Sequence, residues 1–137
     1  MEDTLYHRLG GYDACAAMVA HFWDYMHQSE RLRRFLYGLN DLSKARVRQH
    51  TVDFVVHSLG GPTLYTGHDM YTAHKGLNVT EEDWEEAQRG LQQAMAPALA
   101  RLSPEDREFL ANWMAGLKSH IVEPGAVPVP SSPGGVP

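Results

Sequence analysis

The sequence predicts an all-α protein whose chain folds as one domain. Apolar and aromatic residues recur every three or four positions in long segments, and no segment alternates apolar and polar residues as a half-buried strand would. Glycine pairs, prolines and capping residues separate these segments. With 137 residues and 43% hydrophobic content, the chain is long enough to bury a core around a ligand.

The first two long helices are bounded by glycines. A helix is predicted over residues 13–27, after the glycine pair 10–11. A short turn over residues 31–36 leads to a helix at 43–58, which Gly60-Gly61-Pro62 should end. The residues that share one face of this second helix are Val47, Thr51, Phe54, Val55 and Ser58.

The later helices begin at clear capping signals. Thr80 and Asp83 resemble a capping box with aspartate in place of glutamate, and Pro97 should kink or end the helix that they start. The Ser-Pro-Glu-Asp run at 103–106 predicts a last helix that continues to about Val122. Its expected inward residues are Phe109, Leu110, Trp113, Met114, Leu117 and Ile121.

Residues 123–137 differ from the rest of the chain. Prolines alternate there with glycine, serine and valine, and no charged residue follows Glu123. Such a segment cannot offset its ordering entropy by burial. We therefore expect a folded domain over residues 1–122 and a flexible tail over 123–137. The composition leaves open whether the tail is a docking peptide or dispensable.

Charge and cysteine content narrow the class of protein. The net charge of −5 argues against a nucleic-acid partner, and the single cysteine excludes an intramolecular disulfide. No apolar run reaches the ~18 residues that a membrane span needs. The start Met1-Glu2-Asp3 lacks the basic and apolar regions of a signal peptide. We expect a cytoplasmic monomer that binds neither membrane nor nucleic acid.

The stretch YTGHDMYTAHKGL, residues 65–77, raises the main functional question. His74 lies just before Gly76, which should end a helix, and Met70 lies one turn earlier on the same face. Surface histidines near helix ends are common. A histidine in this place can also be the single protein ligand of a buried metal cofactor. The residues by themselves leave both interpretations open.

The chain resembles the group I truncated hemoglobins, short globins with a two-over-two helical sandwich around heme. The resemblance covers residues 4–122. It implies heme b as cofactor, His74 as proximal iron ligand, the diatomic gases O2 and NO as ligands, and an unidentified reductase as partner. The motifs that carry it are Thr4-Leu5-Tyr6 with Leu9-Gly10-Gly11, Leu59-Gly60-Gly61-Pro62, Tyr65-Thr66-Gly67 with Met70, His74 and Gly76-Leu77, and residues 80–84.

The resemblance also implies a set of pocket residues. On the distal side, however, this sequence departs from the family pattern. Phe22-Trp23 stands where the family carries Phe-Tyr, and Thr51 stands at the usual glutamine. His50 matches the position at which a histidine is a sixth iron ligand in some members. The further residues expected to line the pocket are Val47, Phe54, Met70, Leu77, Trp84 and His120.

Two alternatives remain open for the distal side and one for the last helix. His50 can instead line the pocket or turn to solvent, and aligning from the start of its helix would place Arg48 and Gln49 at the distal positions. His120 falls where some members carry a histidine bonded covalently to a heme vinyl group. Simple packing against the pocket is the other interpretation of His120.

The distal residues favour one class of activity over another. Without the tyrosine hydroxyl, a bound ligand loses a hydrogen bond of ~1.5–3 kcal/mol if charge-assisted. This favours redox or NO-related chemistry over oxygen storage. A helical sensor or interaction module without heme is the alternative function, and a Soret band in the purified protein would distinguish the two.

Overall fold

The computed structural model describes residues 3–65 and 69–126, and this part of the chain is helical with no strand. The all-α prediction is therefore confirmed. A short 3-10 helix at Arg33–Leu36 precedes the third α helix. The six α helices of the described residues are α1 Leu5–Leu9, α2 Gly11–Gln28, α3 Asp41–Ser58, α4 Met70–His74, α5 Glu81–Leu99 and α6 Pro104–Ile121.

The four long helices form the expected two-over-two arrangement. Helix α2 packs against both α3 and α5, and α6 packs against α5 and the short helix α4. The core lies between α2, α3, α5 and α6 and is closed at one end by α1. Its buried residues are Leu5, Tyr6, Leu9, Cys15, Val19, Val52, Val56, Leu59, Met95, Ala98, Leu102, Leu110 and Met114.

The glycine pair after α3 allows α1 to approach the end of that helix. Gly60 has a φ of 90°, and the N–H of Gly61 donates to the carbonyl of Val56 at 2.8 Å. A β-carbon on Gly61 would lie 2.5 Å from Val56 Cγ1. The N–H of Tyr6 then donates to the carbonyl of Leu59 at 2.9 Å, so the N-terminal motif and the glycine motif meet in one contact.

The predicted capping signals are confirmed, and one inward residue is corrected. Thr80 and Asp83 form a reciprocal capping box, and the Ser103 hydroxyl accepts from the N–H of Asp106. Phe109, however, is 53% exposed. The core face of α6 runs through Leu110 and Met114. Phe109 points about 100° away from that face because successive helical residues are rotated by this angle.

Pro97 lies inside α5, which continues to Leu99. The prediction was that Pro97 would kink or end this helix, and the helix does not end there. Pro97 stands in the last turn, so a kink at its ring would redirect only the two helical residues that follow it. Within the described residues, no helix is both long and apolar enough to cross a bilayer.

The division between domain and tail stays a prediction, because residues 127–137 lie outside the described part. Glu123, the first residue assigned to the tail, bonds to the segment after α4: its N–H donates to the carbonyl of Val79 at 2.9 Å. The ordered chain thus continues at least one residue past the predicted boundary.

Candidate functional site

His74 is the last residue of α4, a helix of five residues. The Asp69 side chain caps its start by accepting from the N–H of Thr72 at 2.7 Å. None of the five residues is fully buried, and the helix lies against α6. The sequence correctly predicted a short helix that carries His74 at its C-terminal end. Thr66, Gly67 and His68, which belong to the same stretch, lie outside the described residues.

The hydrogen bond made by the His74 imidazole leaves Nε2 as its unprotonated nitrogen. Its Nδ1 lies 2.8 Å from the carbonyl oxygen of Met70. A carbonyl only accepts, so Nδ1 carries the proton and Nε2 keeps its lone pair. Burial lowers the pKa of His74, although the bond to Met70 partly opposes that shift. A neutral imidazole with one nitrogen held by a backbone carbonyl is the usual state of a metal-ligating histidine.

Three elements converge beside α4. On α3, the Phe54 ring stacks on Trp113 of α6 with centroids 6.0 Å apart. Tyr65, in the segment that leads to α4, meets Phe54 edge-on at 5.4 Å. Helix α4 also packs on α6. One face each of α3, α4 and α6 therefore borders the same region. Phe54 lies in this region, and its role as a wall residue of the cofactor pocket stays a prediction.

The two predicted distal aromatic residues occupy different environments. Trp23 is buried, and its ring meets His27 edge-on at 5.7 Å, whereas Phe22 is half-buried. Trp23 also borders a cavity of about 420 Å³ between α2 and α3. Arg48 and Gln49 border the same cavity. These are the two residues that the alternative alignment places at distal positions.

The predicted distal ligand lies on an outer face of α3. His50 is exposed, and Val47, one turn before it, is 39% exposed. Thr51 is half-buried and its hydroxyl donates to the carbonyl of Val47 at 2.9 Å. The core face of α3 instead carries Val52 and Val56. Helix α3 thus has a core face through Val52 and Val56 and an outer face that is exposed at Val47 and His50 and covered around Phe54.

The other predicted pocket residues are spread over the later elements. Met70 is half-buried on α4, and Leu77, just after it, is 43% exposed. Trp84 is buried at the start of α5, beside the capping box. His120 is exposed near the end of α6. The core contacts of α6 end at Met114, so the last turns lie outside the packed core.

A family model described as bacterial-like globin matches residues 4–123. The chain belongs to the bacterial-like globin family. Its curated relatives include the group 1 truncated hemoglobin of Tetrahymena pyriformis, which is 38% identical over 77 residues. That alignment covers 56% of this chain and 61% of the relative, so the chain matches less than two thirds of that relative's length.

Solved globin structures share the fold over nearly the whole chain. The truncated hemoglobin from Tetrahymena pyriformis in its Fe(III) form superposes with a TM-score of 0.73 at 25% identity, covering 88% of this chain and 98% of that one. The 2/2 hemoglobin from Synechococcus sp. PCC 7002, whose structure contains covalently attached heme, gives 0.74 at 21% identity, with coverages of 88% and 98%. The second likeness concerns the fold alone.

Membership in this globin family makes heme the cofactor, and the residues present fit it. Heme needs one axial nitrogen and a flat apolar slot. His74 offers Nε2 as that nitrogen, and no competing proton occupies it. Val47 and Leu77 expose large apolar surface that a planar apolar cofactor can cover. The donor set and the apolar lining therefore agree with heme.

Sequence reasoning missed one residue of this site. Glu123 was assigned to the tail, yet its Oε1 accepts from the N–H of Gly76 at 2.9 Å and from the N–H of Asn78 at 3.3 Å. Both amides belong to the turn that follows His74. No local sequence pattern marks this contact, because Gly76 and Asn78 precede Glu123 by 47 and 45 residues. Its position as the last charged residue is the only feature that singles it out.

Proposed function

We propose that this chain is a heme globin that binds O2 and NO and uses them in redox or NO-related chemistry rather than in oxygen storage. The observation that carries the proposal is the geometry of His74: it is half-buried at the end of α4, with Nδ1 bonded to the Met70 carbonyl and Nε2 left as the free nitrogen. When bound, heme supplies an iron centre that takes up diatomic ligands and exchanges electrons.

The distal residues support redox duty over storage. Trp23 fills the position of the usual tyrosine and offers an indole N–H, which only donates and does so from a different place than a hydroxyl. Thr51 already gives its hydroxyl proton to the Val47 carbonyl. Neither residue therefore offers the hydroxyl donor that would retain a bound O2 for long periods.

His50 is proposed as a sixth, displaceable iron ligand. Its position on the outer face of α3, one turn from Val47 and Phe54, supports this role. A histidine that occupies the iron lowers the apparent affinity for every external ligand by the fraction of sites that are open. We further propose that a reductase or other electron donor serves the iron, and that the protein works as a cytoplasmic monomer.

His120 is proposed to form a covalent bond with a heme vinyl group. The imidazole N–H would add across the vinyl double bond, so that no atom is lost. Exposure of His120 near the end of α6 leaves its ring free of the packed core, which supports access to the edge of a bound heme. The neighbouring Leu117 is half-buried on the same helix.

The direct test of the proposed function is a titration of the apo chain with hemin. We expect saturation at one heme per chain, a Soret band, and binding of NO and CO by the reduced protein. A colourless protein that shows no saturable Soret band would instead support a sensor or interaction module without heme.

The distinction between storage and redox duty can be tested with Trp23→Tyr. The new hydroxyl should slow O2 release by about ten- to a hundredfold, the factor that a hydrogen bond of ~1.5–3 kcal/mol makes. Stopped-flow displacement of O2 by CO measures this rate, with Phe22→Tyr as the control at the neighbouring position. A wild-type release rate already as slow as that of the Tyr variant would contradict the redox assignment.

A further inference from the structure

The turn after His74 is held by a side chain from the far end of α6. Glu123 Oε1 accepts from the N–H groups of Gly76 and Asn78 at 2.9 and 3.3 Å. The N–H of Glu123 donates to the carbonyl of Val79 at 2.9 Å. One residue therefore makes three hydrogen bonds across the segment 76–79.

This segment needs an external partner. Helix α4 has only five residues, far fewer than the ~12–15 that give an isolated helix even marginal stability. Gly76 and Asn78 both have positive φ values, 83° and 58°, so the chain leaves the helical path directly after α4. Of the three amides in this turn, only that of Leu77 bonds back to α4, to the carbonyl of His74 at 3.1 Å.

The carboxylate of Glu123 accepts from the two amides of this turn, Gly76 and Asn78, that do not bond back to α4. Hydrogen bonds to a charged acceptor are about twice as strong as neutral ones. Glu123 follows α6, the helix on which α4 packs. The contact therefore ties the C-terminal end of α4, where His74 stands, to the frame of the sandwich.

We propose that Glu123 is a positioning residue for His74, which fixes the direction of Nε2 toward the heme iron by capping the end of α4 from outside. This rests on the proposed function in one respect, that His74 is the proximal ligand. The bond from Nδ1 to Met70 sets the rotation of the imidazole ring, and Glu123 sets the position of the backbone that carries it.

The test compares Glu123→Ala, Glu123→Gln and Glu108→Ala in the full chain. Glu108 is an exposed glutamate of α6 and serves as the matched control. In Glu123→Ala, we expect the iron–histidine stretching frequency of the ferrous protein to shift and heme loss to an excess of heme acceptor to speed up about tenfold. Glutamine keeps an acceptor oxygen, so Glu123→Gln should restore most of both.

A second readout does not depend on heme. In the apo protein, the amides of Gly76 and Asn78 should be protected from hydrogen exchange in the wild type and lose protection in Glu123→Ala. If Glu123→Ala folds poorly, Glu123→Asp keeps the charge, withdraws the carboxylate by one methylene, and should shift the same frequency.

The outcomes separate this proposal from the proposed function. An unshifted iron–histidine frequency in both Glu123→Ala and Glu123→Asp would overturn the positioning role, even if overall stability fell. A wild-type chain that takes up no heme would overturn the proposed function, while amide exchange in the apo chain would still report whether Glu123 holds the turn.

Discussion

Helices α3 and α4 carry the two predicted iron ligands, and they are built in opposite ways. Helix α3 has eighteen residues and places Val52 and Val56 in the core. Helix α4 has five residues, none of them buried, and is held by a cap at each end. The distal helix does not depend on His50 for its packing, because its buried residues, Val52 and Val56, lie on another face. The proximal helix depends on its two caps and on its packing against α6.

This difference explains why the proximal side of the site is easier to predict from the sequence than the distal side. A short helix needs a particular cap, a particular exit and a particular length, so the stretch around His74 has little freedom. The exposed positions around His50 on α3 can carry glutamine or histidine without loss of the fold, because they lie outside the core. We therefore expect the residues that contact a bound gas to vary among globins of this family. The histidine that binds the iron on the proximal side should stay the same.

The largest effect is expected for His74→Ala, on the proximal helix. We expect loss of stable heme binding, because no second nitrogen stands on α4 to replace it. The variant should also lose the stabilisation that heme adds to the native state, about 4 kcal/mol at a free heme concentration roughly 1,000 times Kd. Heme content and thermal unfolding measure both effects, with His57→Ala as control. Unchanged heme content and melting temperature would refute the proximal assignment.

On the distal side, His50→Ala should change spectra without removing heme. The wild-type ferric protein should show the low-spin, six-coordinate spectrum of two imidazoles, and the variant a high-spin or water-ligated one. Binding of CO should become ~10-fold faster or more, because the site is no longer closed by the histidine. Absorption spectroscopy and flash photolysis measure these changes.

Arg48→Ala and Gln49→Ala are the controls for the alternative alignment of α3. Neither should alter the ferric spectrum, because neither a guanidinium nor a side-chain amide offers the imidazole nitrogen that makes a strong iron ligand. A wild-type protein that is already high-spin, or a His50→Ala variant that stays low-spin, would show that His50 is not the ligand.

A smaller effect, peripheral to the iron, concerns His120. After reduction with dithionite, acid–butanone extraction should leave heme on the wild-type polypeptide, and the intact mass should rise by one heme. His120→Ala should release its heme and keep the two-imidazole spectrum. Complete extraction from the reduced wild type would leave His120 without a covalent role.

The smallest expected effect compares the two helix caps directly. The Asn40 side chain accepts from the N–H of Ser43 at 2.8 Å and begins α3, as Asp69 begins α4. Asn40→Ala should lower the free energy of unfolding of the apo protein by about 1 kcal/mol. Asp69→Ala should lower it by less, because the short α4 opens locally without unfolding the core, and should accelerate heme loss instead. Equal losses of apo stability in chemical denaturation would show that α4 is as integral to the fold as α3.

Most of the fold was predictable because its signals are local. The glycine pair at 60–61, the Thr80 capping box and the Ser103 cap each act within a few residues. The face of α3 that is buried was harder to identify, because this helix carries apolar residues on two sides and periodicity alone does not say which side meets a cofactor.

The remaining features depend on contacts between distant parts of the chain. Exposure of Phe109 follows from which residues of α6 reach the core, and Glu123 reaches its partners only after α4 and α6 have packed. The approach of Trp23, Arg48 and Gln49 around one cavity likewise follows from the crossing of α2 and α3. None of these contacts leaves a pattern within a short window of sequence.

The crossing of α2 and α5 has a mechanical consequence. A β-carbon on Gly90 would lie 2.4 Å from Cδ1 of Tyr25, so the tyrosine ring rests directly on the backbone of α5. Its hydroxyl donates to Glu86 Oε1 at 3.1 Å, which stops the ring from swinging aside. The thickness of one aromatic ring therefore sets the gap between the two helices. Sliding of the two helices past one another would therefore require breaking the bond of this ring to Glu86.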